Sequence, residues 1–249
     1  MIWVIARREI VAMFRSPLAW VILAVMQIIL GYMFLTQLEN YFLIQPQLMQ
    51  LANTPGVTDI VITPLMQLAA IILLMVMPLI TMRSIAEEKR NATLSLLISA
   101  PLSMSEIVLG KYLGLLLFVF ILVSLLMLMP LSLYLGTSLD TGKLFSIYLG
   151  MILLLASFAA IGLYLSSLTE NQTIAAVCSF GALLSLWIVD WLGASLSGGD
   201  SILAYLSILQ HHQSMLEGIF DSSDIAYYLI LICAFLVLTI RQLDRERLL

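Results

Sequence analysis

Charge is scarce in this chain: Asp, Glu, Lys and Arg make up 10% of its residues, against 62% that are apolar. Soluble domains carry about a quarter charged and about half apolar residues, so a water-soluble fold is excluded. Histidine is confined to His211 and His212 and cysteine to Cys178 and Cys233. The cysteines fall within apolar stretches and are expected to be unpaired, small buried hydrophobes. The histidines lack a third ligand at metal spacing and read as a solvated surface pair. Met75 and Met77, like Met127 and Met129, stand two apart and point to different faces of a helix, which favours packing over metal ligation. No Ser/His/Asp arrangement is visible. A phosphate-binding loop is also missing, because Gly110-Lys111 and Gly142-Lys143 are preceded by Ser105 and Thr137 where that motif requires Gly. The chain is therefore not expected to be an enzyme or to hold a cofactor, and any ATP it depends on must be bound by another polypeptide. With a net charge of −4 and no basic stripe, nucleic acid is not an expected partner.

What the chain does have is long apolar runs. A bilayer core takes about 20 residues per helix, and six stretches qualify: Leu18 to Thr36, Pro64 to Met82, Leu113 to Leu135, Leu144 to Leu168, Thr173 to Leu192 and Ile225 to Ile240. Such runs are too long and too unalternating for barrel strands, which leaves an all-α integral membrane protein of six transmembrane helices forming a single domain over residues 1–249. The first run has no cleavage pattern after it and is expected to be retained. Six spans put both termini on one side. That side holds Arg7, Arg8, Arg15, Arg83, Lys89, Arg90, Lys111, Arg241, Arg245 and Arg247, and the other holds Lys143 alone, so ten of eleven positive charges mark the cytoplasmic face of an inner (plasma) membrane.

Between the spans the pattern is informative. Trp3, Ala6, Ile10 and Met13 recur at helical spacing with Arg8 and Arg15 opposite, which predicts an interfacial amphipathic helix over residues 1–16 whose arginines face lipid headgroups. Arg15-Ser16-Pro17 should break it. The first external loop is expected over Gln37 to Thr63, and a longer one over residues 193–224. In the latter, Met215, Leu216, Ile219 and Phe220 share a helical face, suggesting short re-entrant helices. Pro78 and Pro130 should kink the second and third spans. Small residues cluster on the fourth span (Ala156, Ser157, Ala159, Ala160, Gly162) and the fifth (Ala175, Ala176, Ser179, Gly181, Ala182), fitting either close packing within the chain or a second copy. Within the spans, Asp190, flanked by Trp187 and Trp191, is the only ionisable acid and reads as an outer interfacial residue; Gln27 is the deepest polar group. An ion-coupled carrier would need more. The tripeptide Asn91-Ala92-Thr93 faces the cytosol and is not expected to be glycosylated.

The segment from Arg83 to Lys111 carries an acidic-basic cluster at Glu87, Glu88, Lys89 and Arg90, then Thr93, the leucines Leu94, Leu96 and Leu97, the triplet Pro101-Leu102-Ser103, then Ile107 and Gly110-Lys111. In this pattern, and in the basic amphipathic start, the span count and the ending Leu243-Asp244-Arg245-Glu246-Arg247, the chain resembles the ABC-2 type transporter permeases. Within them it is most similar to the gliding-motility and copper-maturation branch. Two positions depart from the family pattern: Ala92 stands where Gly is expected and Ser95 where an acid is common.

The resemblance implies a permease subunit of an ABC exporter that forms the substrate path with a second permease chain, identical or related, and is driven by a separate ATP-binding subunit. It further implies that residues 83–112 form a cytosolic coupling linker. Physically, Leu94 and Leu97 at i and i+3 would fill an apolar groove on the ATPase while Glu87, Glu88 and Arg90 would orient the helix; Thr93 and Pro101 join this coupling set through the resemblance. Two alternatives stand beside this reading. One is a secondary transporter or channel working without ATP. The other is a membrane scaffold that serves an extracytoplasmic accessory protein without transport.

Overall fold

Lipid offers no partner to an exposed backbone amide, so a chain this apolar must close its hydrogen bonds inside helices. The computed structural model describes residues 1–48, 56–93, 102–137, 139–196 and 207–248, with the side chains of 48, 189–196 and 248 set aside, and no strand occurs among them. Helix α1 spans Ile2–Arg15 and stops at Ser16, whose backbone is extended (φ −80°, ψ 134°). Pro17 opens α2, Pro17–Leu48, where its fixed φ and missing N–H are harmless. The corner is stapled by Trp20, whose indole N–H donates to the Phe14 carbonyl at 2.9 Å. At 32 residues α2 is about 48 Å long, well beyond a bilayer core of about 30 Å. The expected loop from Gln37 is thus corrected: hydropathy marks where the apolar run fades, and the polar continuation remains helical to Leu48.

A π-helical turn, Thr58–Ile62, runs into α3, Thr63–Thr81. The short α4, Ala86–Arg90, precedes α5, Met104–Ser132, which starts with a full capping box between Ser103 and Glu106. Helix α6, Thr141–Ser167, begins on Asp140, whose carboxylate accepts from the Gly142 and Lys143 amides. Helices α7, Gln172–Leu196, α8, Ile208–Leu216, and α9, Ser222–Leu248, complete the chain. Five of these segments are long and apolar enough to cross a membrane: Pro17–Gln47, Thr58–Arg90, Met104–Leu135, Thr141–Ser167 and Ser222–Arg247. The fifth expected span coincides with α7, whose described apolar part, Gln172–Ile188, is shorter than the rest.

Ion pairs show which helix ends meet. Lys89 on α4 bonds both the Ser167 carbonyl at the end of α6 and Glu246 near the end of α9. At the opposite end Lys143 pairs with Asp59. The start of the chain, α4, the start of α5 and the last turn of α9 therefore gather at one end of the bundle.

Helix α6 is the hub, packed against α3, α5, α7, α8 and α9 and with 17 of its 27 residues buried. Its small residues explain this. Ala156, Ser157, Ala159 and Ala160 are all buried within the chain, and a Cβ on Gly162 would lie 2.2 Å from Thr81 Oγ1 on α3. Of the two uses foreseen for the small face of the fourth span, packing within the chain is the one realised. On α7, Ala175 and Ser179 are buried while Gly181 faces open space. Met75 is 55% exposed and Met77 1%, the opposite faces their spacing demands. Cys178 and Cys233 are unpaired but exposed on the outer surface of α7 and α9, not buried as expected. In a helix of a membrane bundle the outward face is apolar too, so composition alone does not tell the two faces apart.

Candidate coupling site

After α3 the chain passes through a turn at residues 82–85 and enters α4. Ser166 of α6 fixes this turn: its hydroxyl accepts from the Ile85 and Ala86 amides at 3.2 and 3.1 Å and donates to the Met82 carbonyl at 3.1 Å. Helix α4 then places Glu87 and Glu88 in its first turn and Lys89 and Arg90 in its last, the order that complements the helix dipole. It ends in a Schellman turn. The Ala92 amide bonds the Lys89 carbonyl and the Thr93 amide bonds the Glu88 carbonyl, each at 3.0 Å, with Ala92 in the left-handed region at φ +54°. A turn does break the helix at the position where the family pattern has Gly, even though this chain has Ala there.

The residues expected to contact a motor subunit divide into groups. Glu88 faces inward, 2.6 Å from Arg8 and 2.9 Å from Lys111. Glu87 is half-buried and Arg90 exposed, and neither makes an ion pair among the described residues. Thr93 is exposed and its hydroxyl donates to the Glu88 carbonyl at 3.3 Å, closing the turn. Leu94, Leu97 and Pro101 lie outside the described residues.

Lys111 is the anchor. Its side chain is 1% exposed, and its ammonium lies 2.8 Å from Glu9, 2.9 Å from Glu88 and 2.7 Å from the Ser84 carbonyl. A buried ammonium is tolerable only with such a set of acceptors. Glu9 reaches it because α1 docks tightly on α5: a Cβ on Gly110 would lie 2.7 Å from the Ile5 side chain, and one on Gly114 would lie 2.7 Å from Glu9 Cβ. Two glycines four apart on one helix face permit this close approach. The first helix therefore turns Ile5, Ala6 and Glu9 toward α5. Trp3, expected on the apolar face with Ala6, is 66% exposed, and Arg8, expected to meet headgroups, pairs with Glu88. The Gly110/Gly114 spacing and an acid on the face of Ile5 and Ala6 were the sequence signals for this docking.

At the opposite end α8 carries a second polar cluster. His211 and His212 are buried, at 7% and 1% exposure, which corrects the solvated pair expected from sequence. His211 Nδ1 is 2.6 Å from Asp224 Oδ1, its ring stacks on Tyr227 at 4.2 Å, and the Ser214 hydroxyl donates to the other Asp224 oxygen. A Ser/His/Asp grouping is thus present after all, brought together by the return of the chain into α9. With Ser214 bonded to the carboxylate and not to an imidazole nitrogen it lacks the pairing that activates a nucleophile, and it acts as a clasp between α8 and α9. Neither ring nitrogen of His212 has a hydrogen-bond partner among the described residues, and burial pushes its pKa down to about 4. Helix α8 ends at Leu216 in a turn through Gly218 (φ +87°), so Ile219 and Phe220 leave the helical face they were expected to share and are exposed. The side chain of Asp190 lies outside the described residues.

The arrangement at the first end links a short linker helix rigidly to α1, α5, α6 and α9. Residues 3–248 match the family described as ABC-2 family transporter protein. The chain belongs to this family. No curated protein matches it. As an ABC-2 family member the chain is a membrane permease component of an ABC transporter, a class that works with an ATP-binding partner.

Proposed function

We propose that this ABC-2 permease is the path-forming subunit of an exporter, with two six-helix chains and two ATP-binding subunits, and that residues 83–112 couple the two kinds of subunit. The observation that carries the reading is the placement of α4. Lys89 ties it to α6 and α9, and Glu88 ties it through Lys111 and Arg8 to α5 and α1, while Glu87 and Arg90 make no ion pair among the described residues. ATP is bound by the partner, and its motion pushes the linker, tilting α3 and α5 about Pro78 and Pro130. The gathering of ten of the eleven Lys and Arg on the side of the termini supports a cytosolic location for that end in the inner membrane. The open face at Gly181 of α7 suits a second permease chain.

The test is a pull-down of the ATP-binding subunit with a Leu94→Asp/Leu97→Asp permease. A carboxylate placed in a partner's apolar groove costs several kcal/mol, so recovery should fall by tenfold or more while insertion is unchanged. Undiminished recovery would show that these leucines do not dock.

A further inference from the structure

Beneath the elbow between α1 and α2 lies a cavity of about 300 Å³, bordered by α1, the start of α2, the end of α3, α4 and α5. This is at the lower end of the roughly 300–1,000 Å³ typical of small-molecule sites. Its wall has two characters. Arg8, Glu9, Arg83, Glu87, Glu88 and Lys111 line it at the helix ends. Leu18, Ala19, Ile22, Ile80 and Phe118 line it farther along the spans, Phe118 two turns beyond Lys111 and Ile80 about one turn before Arg83. Polar at the end of the bundle and apolar toward its middle, the cavity has the profile of a membrane lipid's headgroup and first chain carbons.

The charges select the headgroup. Three cations and three carboxylates line the cavity, and Arg8, Lys111, Glu9 and Glu88 neutralise one another. Arg83 and Glu87 remain, one positive and one negative, with no ion pair among the described residues. Unused hydrogen-bonding capacity falls into the same two classes. Arg83 Nε and the hydroxyl of Ser84, a residue 6% exposed, are buried donors without a partner among the described residues, and Glu88 Oε2 is a buried acceptor without one. Buried polar groups left unpaired are costly, and their pattern is complementary to a zwitterion that brings an anionic oxygen to Arg83 and Ser84 and an N–H-bearing cation to Glu87 and Glu88. A purely anionic headgroup would leave the carboxylates opposed, and a quaternary ammonium has no N–H to donate to them.

We infer that this cavity binds a phosphatidylethanolamine-type membrane lipid, its phosphate on Arg83 and Ser84 and its ammonium on Glu87 and Glu88, with the first chain carbons against Ile22, Ile80 and Phe118. The lipid would pack between the elbow and the linker helix.

Native mass spectrometry of the full-length permease, released from detergent with phosphatidylethanolamine, phosphatidylcholine or phosphatidylglycerol of matched chains, tests this. Retention of phosphatidylethanolamine should exceed that of the other two by about tenfold, the scale of charge-assisted hydrogen bonds. Glu87→Gln should erase the preference over phosphatidylcholine, and Arg83→Gln should weaken both lipids alike. Neither residue takes part in an ion pair among the described residues. Ala12→Trp, on an exposed rim residue, should block binding by bulk and decides the matter should either charge variant fail to fold. Equal retention of phosphatidylethanolamine and phosphatidylcholine by the unaltered protein would overturn the inference, as would variants that bind like it. Equally tight binding of chain-free glycerophosphoethanolamine would also overturn it, since the site would then take a soluble zwitterion.

Discussion

Lys111 Nζ stands 2.9 Å from Glu88 Oε1, so the first turns of α5 and the short linker helix α4 share one buried charge. Glu9 completes the group from α1. The three elements are far apart in sequence, and the ammonium between two carboxylates joins them.

Removing that ammonium should leave Glu9 and Glu88 facing each other with only the largely exposed Arg8 nearby. Lys111→Met should therefore destabilise the protein by about 3 kcal/mol, as for other broken buried pairs, read as a lower unfolding temperature in detergent. The double variant Lys111→Met/Glu9→Leu should recover part of the loss, because an apolar pair does not need the missing charge. A single variant as stable as the parent would show that the cluster contributes nothing.

Ala92 occupies the turn position that Gly218 occupies at the end of α8, both with positive φ and both followed by the same pair of backbone hydrogen bonds. Ala pays for that conformation and Gly does not. Ala92→Gly should stabilise the end of α4 by about 1 kcal/mol, seen as slower amide exchange over residues 86–93. Faster exchange would mean that the added freedom of the unfolded chain outweighs the relieved strain.

Gly114→Leu should lift the first helix off α5, since even a Cβ there would lie 2.7 Å from Glu9 Cβ. Trypsin should then cut at Arg7 and Arg8 much faster, with the spans still inserted. Gly181→Leu, where nothing lies within 4 Å, is the matched control and should change neither. Equal protection in both variants would count against the docked geometry.

His212 predicts an acid sensitivity. Its pKa is near 4 in the fold and about 6.5 in an unfolded chain, so between those values the unfolded state binds a proton that the folded state does not. Stability should fall as pH drops from about 6.5 toward 4, by about 2 kcal/mol at pH 5 from this residue. His212→Leu should flatten that part of the profile and, by removing two unpartnered buried nitrogens, raise stability at pH 5. The check is the unfolding temperature of the two proteins from pH 7 to pH 4.5.

Much of the architecture was legible because lipid enforces it. The apolar runs could only be helices, and Ser16-Pro17 could only be a break. Helix α2 runs past its expected end because Gln37 to Leu48 loses hydropathy while its backbone stays helical, even through Pro46. At the candidate site the Arg83 to Lys111 segment stood out, yet Glu9, Ser166 and Glu246, which hold it, are remote in sequence, and Ser166 and Glu246 bear no local mark of their partners. Glu9 was the most readable of the three, an acid on the same helical face as Ile5 and Ala6, opposite two glycines four apart. The His211–Asp224 contact was hidden because thirteen residues and a chain reversal separate the pair. Composition made two histidines in a segment between apolar runs look solvated.

Lys89 has a consequence for how the protein is made. Its carboxylate partner, Glu246, lies 157 residues later, so the linker leaves the ribosome long before the group that fastens it exists. The Ser167 carbonyl comes earlier, 78 residues after Lys89. During synthesis the linker is thus secured in two stages, first to α6 and only then to α9. A nascent chain halted between them carries a linker held on one side, which ties full fastening of the linker to completion of α9.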